Sequence, residues 1–193
     1  MLMAHENYWA FLFLFRRYHM SMTTSPASAD PVLRRYFPQG RPTRWVTRER
    51  PKIDRLACPW LIRRFLDPGA EIIYVPAGEV FDVARDRAAV AFDIPGADFS
   101  HAGERCSFDA FIDRFSLQDE GLRTLQPIVR GADIDCHGLA PEAAGLHAVS
   151  LGLCAVFTDD AALLEQGIIL YDALYAWATR AKGERHAWTP GKS

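Results

Sequence analysis

The stretch from residue 44 to residue 75 constrains the fold most, because strand and helix signals alternate within it. Arg44 to Arg48 (RWVTR) alternates polar and apolar residues and has the β-propensity of Trp, Val and Thr. Ile53 to Leu66 is long enough for a helix, and Glu71 to Val75 (EIIYV) follows it as a second strand after an Asp-Pro-Gly turn. Two strands joined through a helix pair in parallel, so the sequence predicts a βαβ unit.

Beyond this unit the apolar period becomes helical. Two glycines within one of the later helices, Gly145 and Gly152, predict the close approach of a neighbouring helix. The predicted fold class is α+β (or α/β), with a small three-stranded sheet that has a βαβ start, followed by a predominantly helical C-terminal half. The further predicted elements are a helix over Glu79 to Arg87, a strand over Ala89 to Asp93, and helices beginning at Ser107, Glu120, Pro141 and Asp160.

We expect one folded domain over residues 44–181, between an N-terminal extension or flexible linker at 1–43 and a flexible tail at 182–193. The extension contains the apolar run Tyr8 to Phe15, which is too short to cross a bilayer. Two interpretations of this run remain open. Translation starts after it, at a later methionine, or the run is a short anchor at a membrane surface.

Composition and cysteine spacing exclude several classes of protein. An apolar share of 49% and a charged share of 24% are typical of a soluble globular protein. The net charge of −2 gives no general attraction to nucleic acid, so direct DNA binding by this chain alone is not expected. The four cysteines form no CxxC pair, which argues against a zinc ribbon and a thioredoxin-type site and favours reduced thiols in the cytoplasm.

Pro59 interrupts the first predicted helix, because proline lacks an N–H group and crowds the carbonyl of Arg55. A kink or a new helix start at Cys58 is the expected result. At a new start, Cys58 would lie among free N–H groups, which bind anions and lower the pKa of a thiol. Alternatively, Cys58 is a small buried side chain, as free cysteines often are.

Arginine forks and thiols are the groups that suit a small oxyanion, and the sequence has several of each. An arginine on an exposed helix face is otherwise a surface charge that pairs with Asp or Glu. The candidates for binding such a ligand are Arg55, Cys58, Arg63, Arg64, Arg105, Cys106 and Arg130.

The richest segment, SHAGERCSFD, runs from Ser100 to Asp109 and contains imidazole, carboxylate, thiol and hydroxyl groups. His101 and Glu104 of this segment, with Asp133 of the later segment VRGAD, are candidate ligands for a divalent metal ion. The alternatives are a solvated or capping role for the loop histidine and an Arg130–Asp133 pair that closes a helix end. No nucleophilic triad is assembled, so no catalytic residue is assigned. The adjacent Cys136 and His137 are interpreted as surface residues.

Five phrases occur in order between Arg44 and Arg180: KIDRLACPWLIRRFLDPGAEIIYVPA, FDIPGADFSHAGERCSFDAFI, IVRGAD, LAPEAAGLHAVSLGL and GIILYDALYAWATR. In these phrases the chain resembles the C-terminal domain of the chromate resistance protein ChrB family. The resemblance implies a cytoplasmic bacterial domain connected with a chromate-responsive regulator of a chromate export operon. Longer family members carry an additional N-terminal domain that residues 1–43 do not resemble, so a DNA-binding role transfers only weakly.

The residues and the resemblance together suggest a cytosolic accessory or chromate-responsive sensor domain in stress response and regulation. It would bind an oxyanion such as chromate, or a metal, through arginine, thiol and His/Asp groups. Two alternatives stay open. One is a metal-dependent enzyme that acts on a small anionic substrate, although the sequence leans against catalysis. The other is a structural module whose apolar helices form a homodimer or contact a protein partner.

Overall fold

The computed structural model describes residues 31–32 and 44–184. The strands are β1 (Arg44–Arg48), β2 (Glu71–Val75) and β3 (Val90–Ala91). They form a sheet in the order β2-β1-β3, and both pairs are parallel, with Trp45 opposite Ile72 on one side and Val90 on the other. The predicted βαβ start is confirmed. The third strand is shorter than predicted, because Asp93 adopts a φ of 49° and bonds through its N–H to Phe99 at 2.9 Å.

Helices make up most of the remaining structure, and the α+β fold class is confirmed. Every predicted helix is present, and the bounds differ from the predicted ones by a few residues. The helices are α1 (Asp54–Leu61), α2 (Val80–Asp86), α3 (Ser107–Arg114), α4 (Glu120–Asp133), α5 (Ala143–Val156) and α6 (Asp160–Ala176). Single π-helical turns continue α1 over Ile62–Leu66 and α6 over Trp177–Ala181, and 3₁₀ turns lie at Ala77–Glu79 and His137–Leu139.

Pro59 lies inside α1, and no new helix starts there. The Tyr74 hydroxyl on β2 donates to the carbonyl oxygen of Arg55 at 2.7 Å. This carbonyl is the one that the missing N–H of Pro59 cannot reach, so the tyrosine supplies the absent donor. The expectation that Cys58 lies at a helix start is therefore wrong. Cys58 is fully buried in mid-helix, as the alternative held, and burial raises the pKa of its thiol well above the ordinary value.

The main core lies between β1, α1, α3 and α6. Trp60 is central to it, with Tyr171 at 6.0 Å and Phe108 at 6.5 Å between ring centroids. Its indole N–H donates to Asp172 at 2.8 Å, and the Arg64 guanidinium donates to the same carboxylate at 2.9 and 2.7 Å. Asp172 is thus a buried carboxylate that is paired, as burial of a charge requires.

Glycines do allow close helix approach in this fold, but not where the sequence suggested. A Cβ on Gly145 or Gly152 would have open space, so the prediction for these two residues is wrong within the part of the chain that is described. A Cβ on Gly167 would instead lie 3.0 Å from Leu56, where α6 packs closely against α1. A Cβ on Gly121 would overlap the ring of Tyr175.

No helix in residues 31–32 and 44–184 is long and apolar enough to cross a membrane. The expectations for Tyr8 to Phe15 fall outside the described residues.

Candidate metal centre

Acidic side chains meet at the edge of the sheet where the parallel strands end. Arg48 is the last residue of β1, and Asp93 follows β3 at the same edge. Asp54 is the first residue of α1, which leaves this edge. His101 comes from the loop before α3, and Asp133 is the last residue of α4. Crevices at the carboxyl ends of strands are common ligand sites in parallel sheets, because separate segments converge there.

Three carboxylates surround one imidazole nitrogen. His101 Nε2 lies 3.1 Å from Asp133 Oδ2, 3.4 Å from Asp93 Oδ1 and 3.5 Å from Asp54 Oδ2. The ligand atoms of Asp54, Asp93 and His101 all lie within 4.8 Å of one another. We refer to Asp54, Asp93, His101 and Asp133 as the central cluster. Its imidazole is 40% exposed while the Asp54 side chain is 2% exposed, so solvent reaches the cluster from the side of His101.

Asp54 is the least satisfied member of the central cluster. Its Oδ2 accepts from the backbone N–H of Ser107 and from that of Phe108 at 3.3 Å, at the start of α3. Its Oδ1 is buried and has no hydrogen-bond partner. Burial, together with the nearby Asp133 and Asp93, raises the pKa of Asp54 to about 7. A buried carboxylate with an unpaired oxygen is where an additional cation would be most stabilising.

Asp93 is the best satisfied carboxylate of the central cluster. Its Oδ2 lies 2.9 Å from an Arg48 guanidinium nitrogen and 3.4 Å from Arg55 Nε, and its Oδ1 accepts from the Ser107 hydroxyl at 2.7 Å. Although burial acts in the opposite direction, hydrogen bonds from His101, Ser107 and Arg48 hold the pKa of Asp93 below its usual value.

His101 supplies the positive charge at the centre. Hydrogen bonds to Asp133, Asp54 and Asp93 raise the pKa of its imidazole to about 12. The protonated ring therefore stands where the three carboxylates favour a cation. Asp133 also accepts from the Asp54 backbone N–H at 3.3 Å, which ties the start of α1 to the end of α4.

Comparison with known proteins finds a family that matches the segments forming the central cluster. The family described as "ChrB, C-terminal domain" matches residues 45–178, which include the whole central cluster. The chain belongs to the ChrB C-terminal domain family. Protein ChrB of Cupriavidus metallidurans is 38% identical over 138 residues, which are 71% of this chain and 40% of that relative. The chain thus spans less than half the length of this curated relative. No solved structure matches.

Within this ChrB C-terminal domain, the predicted ligand residues lie in separate places. His101 and Asp133 meet in the central cluster, and Arg55 lies beside it. Glu104 is exposed, and among the described residues it belongs to no cluster of side chains that could hold a metal ion. Cys58 and Cys106 are buried, which raises the pKa of both thiols and favours their neutral form.

The remaining arginine candidates lie in two other regions of the ChrB C-terminal domain. Arg63 and Arg64 border an open cleft of about 440 Å³, where Arg63 pairs with Glu165 at 3.0 Å and Arg64 with Asp172. Arg105 and Arg130 lie 3.8 and 3.6 Å from the buried Asp109, and Arg105 also pairs with Asp113 at 2.6 Å. Each of these four arginines therefore lies beside a carboxylate of this chain.

Sequence reasoning missed Asp54 and Asp93 as members of the site. Asp54 looks like an ordinary acidic residue in a first helical turn, and Asp93 like the end of a strand. A usable signal existed, because Arg48 and Asp93 both end predicted strands of one parallel sheet, and such ends share an edge.

Proposed function

We propose that this ChrB C-terminal domain binds a divalent metal ion in the central cluster and serves chromate resistance as an accessory or sensor domain. Asp54, Asp93 and His101 would be the ligands. Asp133, which lies beside His101, would either bind the ion as a fourth ligand or contact the ligand His101. The observation that carries the proposal is the placement of His101 Nε2 within 3.5 Å of three carboxylates from separate segments. Oxygen donors with one imidazole suit Mn²⁺, Fe²⁺ or Zn²⁺.

The charge balance favours a cation over a free oxyanion at this position. A chromate dianion placed alone at the centre would face the carboxylates of Asp54, Asp93 and Asp133. A divalent ion would replace the imidazole proton and offset the buried negative charge of the three carboxylates.

In this proposal, chromate would bind as a second ligand beside the metal ion. A bound metal ion supplies positive charge that the carboxylates alone do not, and Arg48 and Arg55 add two guanidinium groups beside Asp93. The Arg48 side chain is 35% exposed, so an anion arriving from solvent could reach it. Chromate would therefore bind to the metal-loaded domain and not to the metal-free one, which is a physical basis for sensing.

The test of metal binding uses chain purified without chelators, followed by metal analysis, removal of metal and calorimetric titration with Mn²⁺, Zn²⁺ and, without oxygen, Fe²⁺. Asp54→Asn and His101→Ala should each lose the central site. Asp86→Asn is a matched control, because Asp86 is an exposed carboxylate that pairs with Arg85 on α2. If stripped protein binds none of these ions, or if His101→Ala binds them as the unchanged chain does, the proposal is wrong.

A second titration tests the link to chromate. Chromate and sulfate are added to metal-free and metal-loaded protein under the same conditions. We expect chromate to bind only when metal is present, and Arg48→Ala and Arg55→Ala to weaken it. Equal binding by metal-free protein would indicate a separate oxyanion site. If the protein binds metal but the metal-loaded protein does not bind chromate, the cation site is supported and the sensor role is contradicted.

A further inference from the structure

A second group of potential metal ligands lies in the connection between α4 and α5 and on α5 itself. His137 Nε2 is 3.0 Å from His147 Nδ1, and the two rings are perpendicular with centroids 5.0 Å apart. Asp135 Oδ1 lies 3.4 Å from the same His137 nitrogen, and the three ligand atoms are all within 4.8 Å of one another. We refer to Asp135, His137 and His147 as the surface cluster.

The surface cluster stands on a fixed turn between α4 and α5. Asp135 has a φ of 55°, which turns the chain back at the end of α4. The Cys136 N–H then bonds to the Gly131 carbonyl at 2.9 Å, and the Leu139 N–H to the Cys136 carbonyl at 3.1 Å. His147 projects from α5, so two of the ligands belong to a hydrogen-bonded turn and the third to a helix.

The spacing of the donor atoms fits a coordination sphere. With metal–nitrogen bonds of about 2.1 Å, neighbouring ligands in a tetrahedral site are about 3.4 Å apart. His137 Nε2 lies 3.0 Å from His147 Nδ1 and 3.4 Å from Asp135 Oδ1, and both distances are close to this ligand–ligand separation. Without metal, one ring nitrogen must donate to the other, and a metal ion would take the place of that shared proton.

We propose that Asp135, His137 and His147 form a second cation site, which binds a borderline transition-metal ion such as Zn²⁺, Ni²⁺ or Co²⁺ independently of the central cluster. Two imidazoles and one carboxylate are a common ligand set for such ions, and three protein ligands leave a position for water. The Cys136 thiol is exposed in the same turn but is not one of the three ligands. The site goes beyond the proposed function and does not depend on it.

The test uses untagged full-length chain, stripped of metal, and titrates it with Zn²⁺ in competition with a coloured chelator. His147→Ala and His137→Ala should each weaken the surface site by more than about tenfold. Cys136→Ser and His101→Ala should keep it. Circular dichroism of the metal-free variants checks that each one folds. Binding by His147→Ala equal to that of the unchanged chain would overturn the proposal.

Cobalt gives a second readout that separates the ligand sets. Co²⁺ at the surface cluster should produce visible absorption bands without a thiolate-to-cobalt charge-transfer band, and His147→Ala should abolish these bands. A charge-transfer band that disappears in Cys136→Ser would overturn the three-residue assignment. If the His101→Ala variant binds one equivalent of metal and the double variant His101→Ala/His147→Ala binds none, the surface site is supported whether or not the central cluster binds metal.

Discussion

The central cluster and the surface cluster contain the same kinds of side chain but differ in what surrounds them. Asp54 and Asp93 are 2% and 5% exposed and are held by backbone amides, a hydroxyl and two arginines, whereas Asp135 is 81% exposed. Burying a carboxylate is unfavourable unless positive charge compensates it. We therefore expect the central cluster to contribute to the stability of the fold, and substitutions in the surface cluster to change that stability little.

The largest expected difference between the clusters is in stability. Asp93→Ala would leave Arg48, Arg55 and Ser107 without their shared acceptor, so the free energy of unfolding should fall by about 3–5 kcal/mol. Asp135→Asn, which tolerates the left-handed backbone, should change it by less than about 0.5 kcal/mol. Urea denaturation of metal-free protein measures both. Similar losses in the two variants would contradict the distinction.

The second expected difference is in pH dependence. Burial raises the pKa of Asp54 from 3.8 to about 7, so between these values the folded state holds a proton that the unfolded chain has released. Raising the pH through this range should therefore lower the free energy of unfolding. Asp54→Asn removes this contribution, and the two stability curves should diverge by roughly 2–4 kcal/mol between about pH 4 and about pH 7.

Denaturation of metal-free protein at a series of pH values measures this divergence. Asp135→Asn is the control from the surface cluster and should follow the unchanged chain. Parallel curves for Asp54→Asn and the unchanged chain would show that Asp54 is ionised in the folded protein at low pH.

The smallest expected effect concerns the turn beneath the surface cluster. A Cβ on Gly131 would lie 2.9 Å from the Cys136 carbonyl oxygen and 3.0 Å from Ala143 Cβ. Gly131→Ala should therefore displace the turn, destabilise the protein by about 1–3 kcal/mol and weaken Zn²⁺ binding at the surface cluster. Gly138→Ala is the matched control, because a Cβ there has open space. Calorimetric Zn²⁺ titration and urea denaturation distinguish the variants, and equal behaviour would contradict the packing argument.

The sequence predicted the βαβ unit well because its signals are local. β1 and β2 have the predicted bounds, since alternation and the Asp-Pro-Gly turn define them within a few residues. Half of the central cluster was predicted, His101 from the density of ligand-type side chains between Ser100 and Asp109, and Asp133 as a carboxylate in the later phrase IVRGAD. The position of Asp93 at a strand end was a usable signal, but Asp54 and the burial of both carboxylates were not predictable, because burial results from packing between segments that are far apart in the chain.

Two other features depended on partners that the local sequence does not show. The helix continues through Pro59 because Tyr74, nineteen residues after Arg55, supplies a donor. His137 meets His147 across ten residues and a turn, so neither histidine identifies the surface cluster by itself. In both cases tertiary geometry decided the role.

The hydroxyl of Tyr74 also has a consequence for local unfolding. It joins β2 to the carbonyl of Arg55, in the first turn of α1, where Asp54 begins the helix. That turn cannot open without breaking its bond to β2, which pairs with β1 along its whole length. Backbone amides of β2 and of the start of α1 should therefore exchange with solvent as one cooperative unit, and the buried end of the central cluster is part of it.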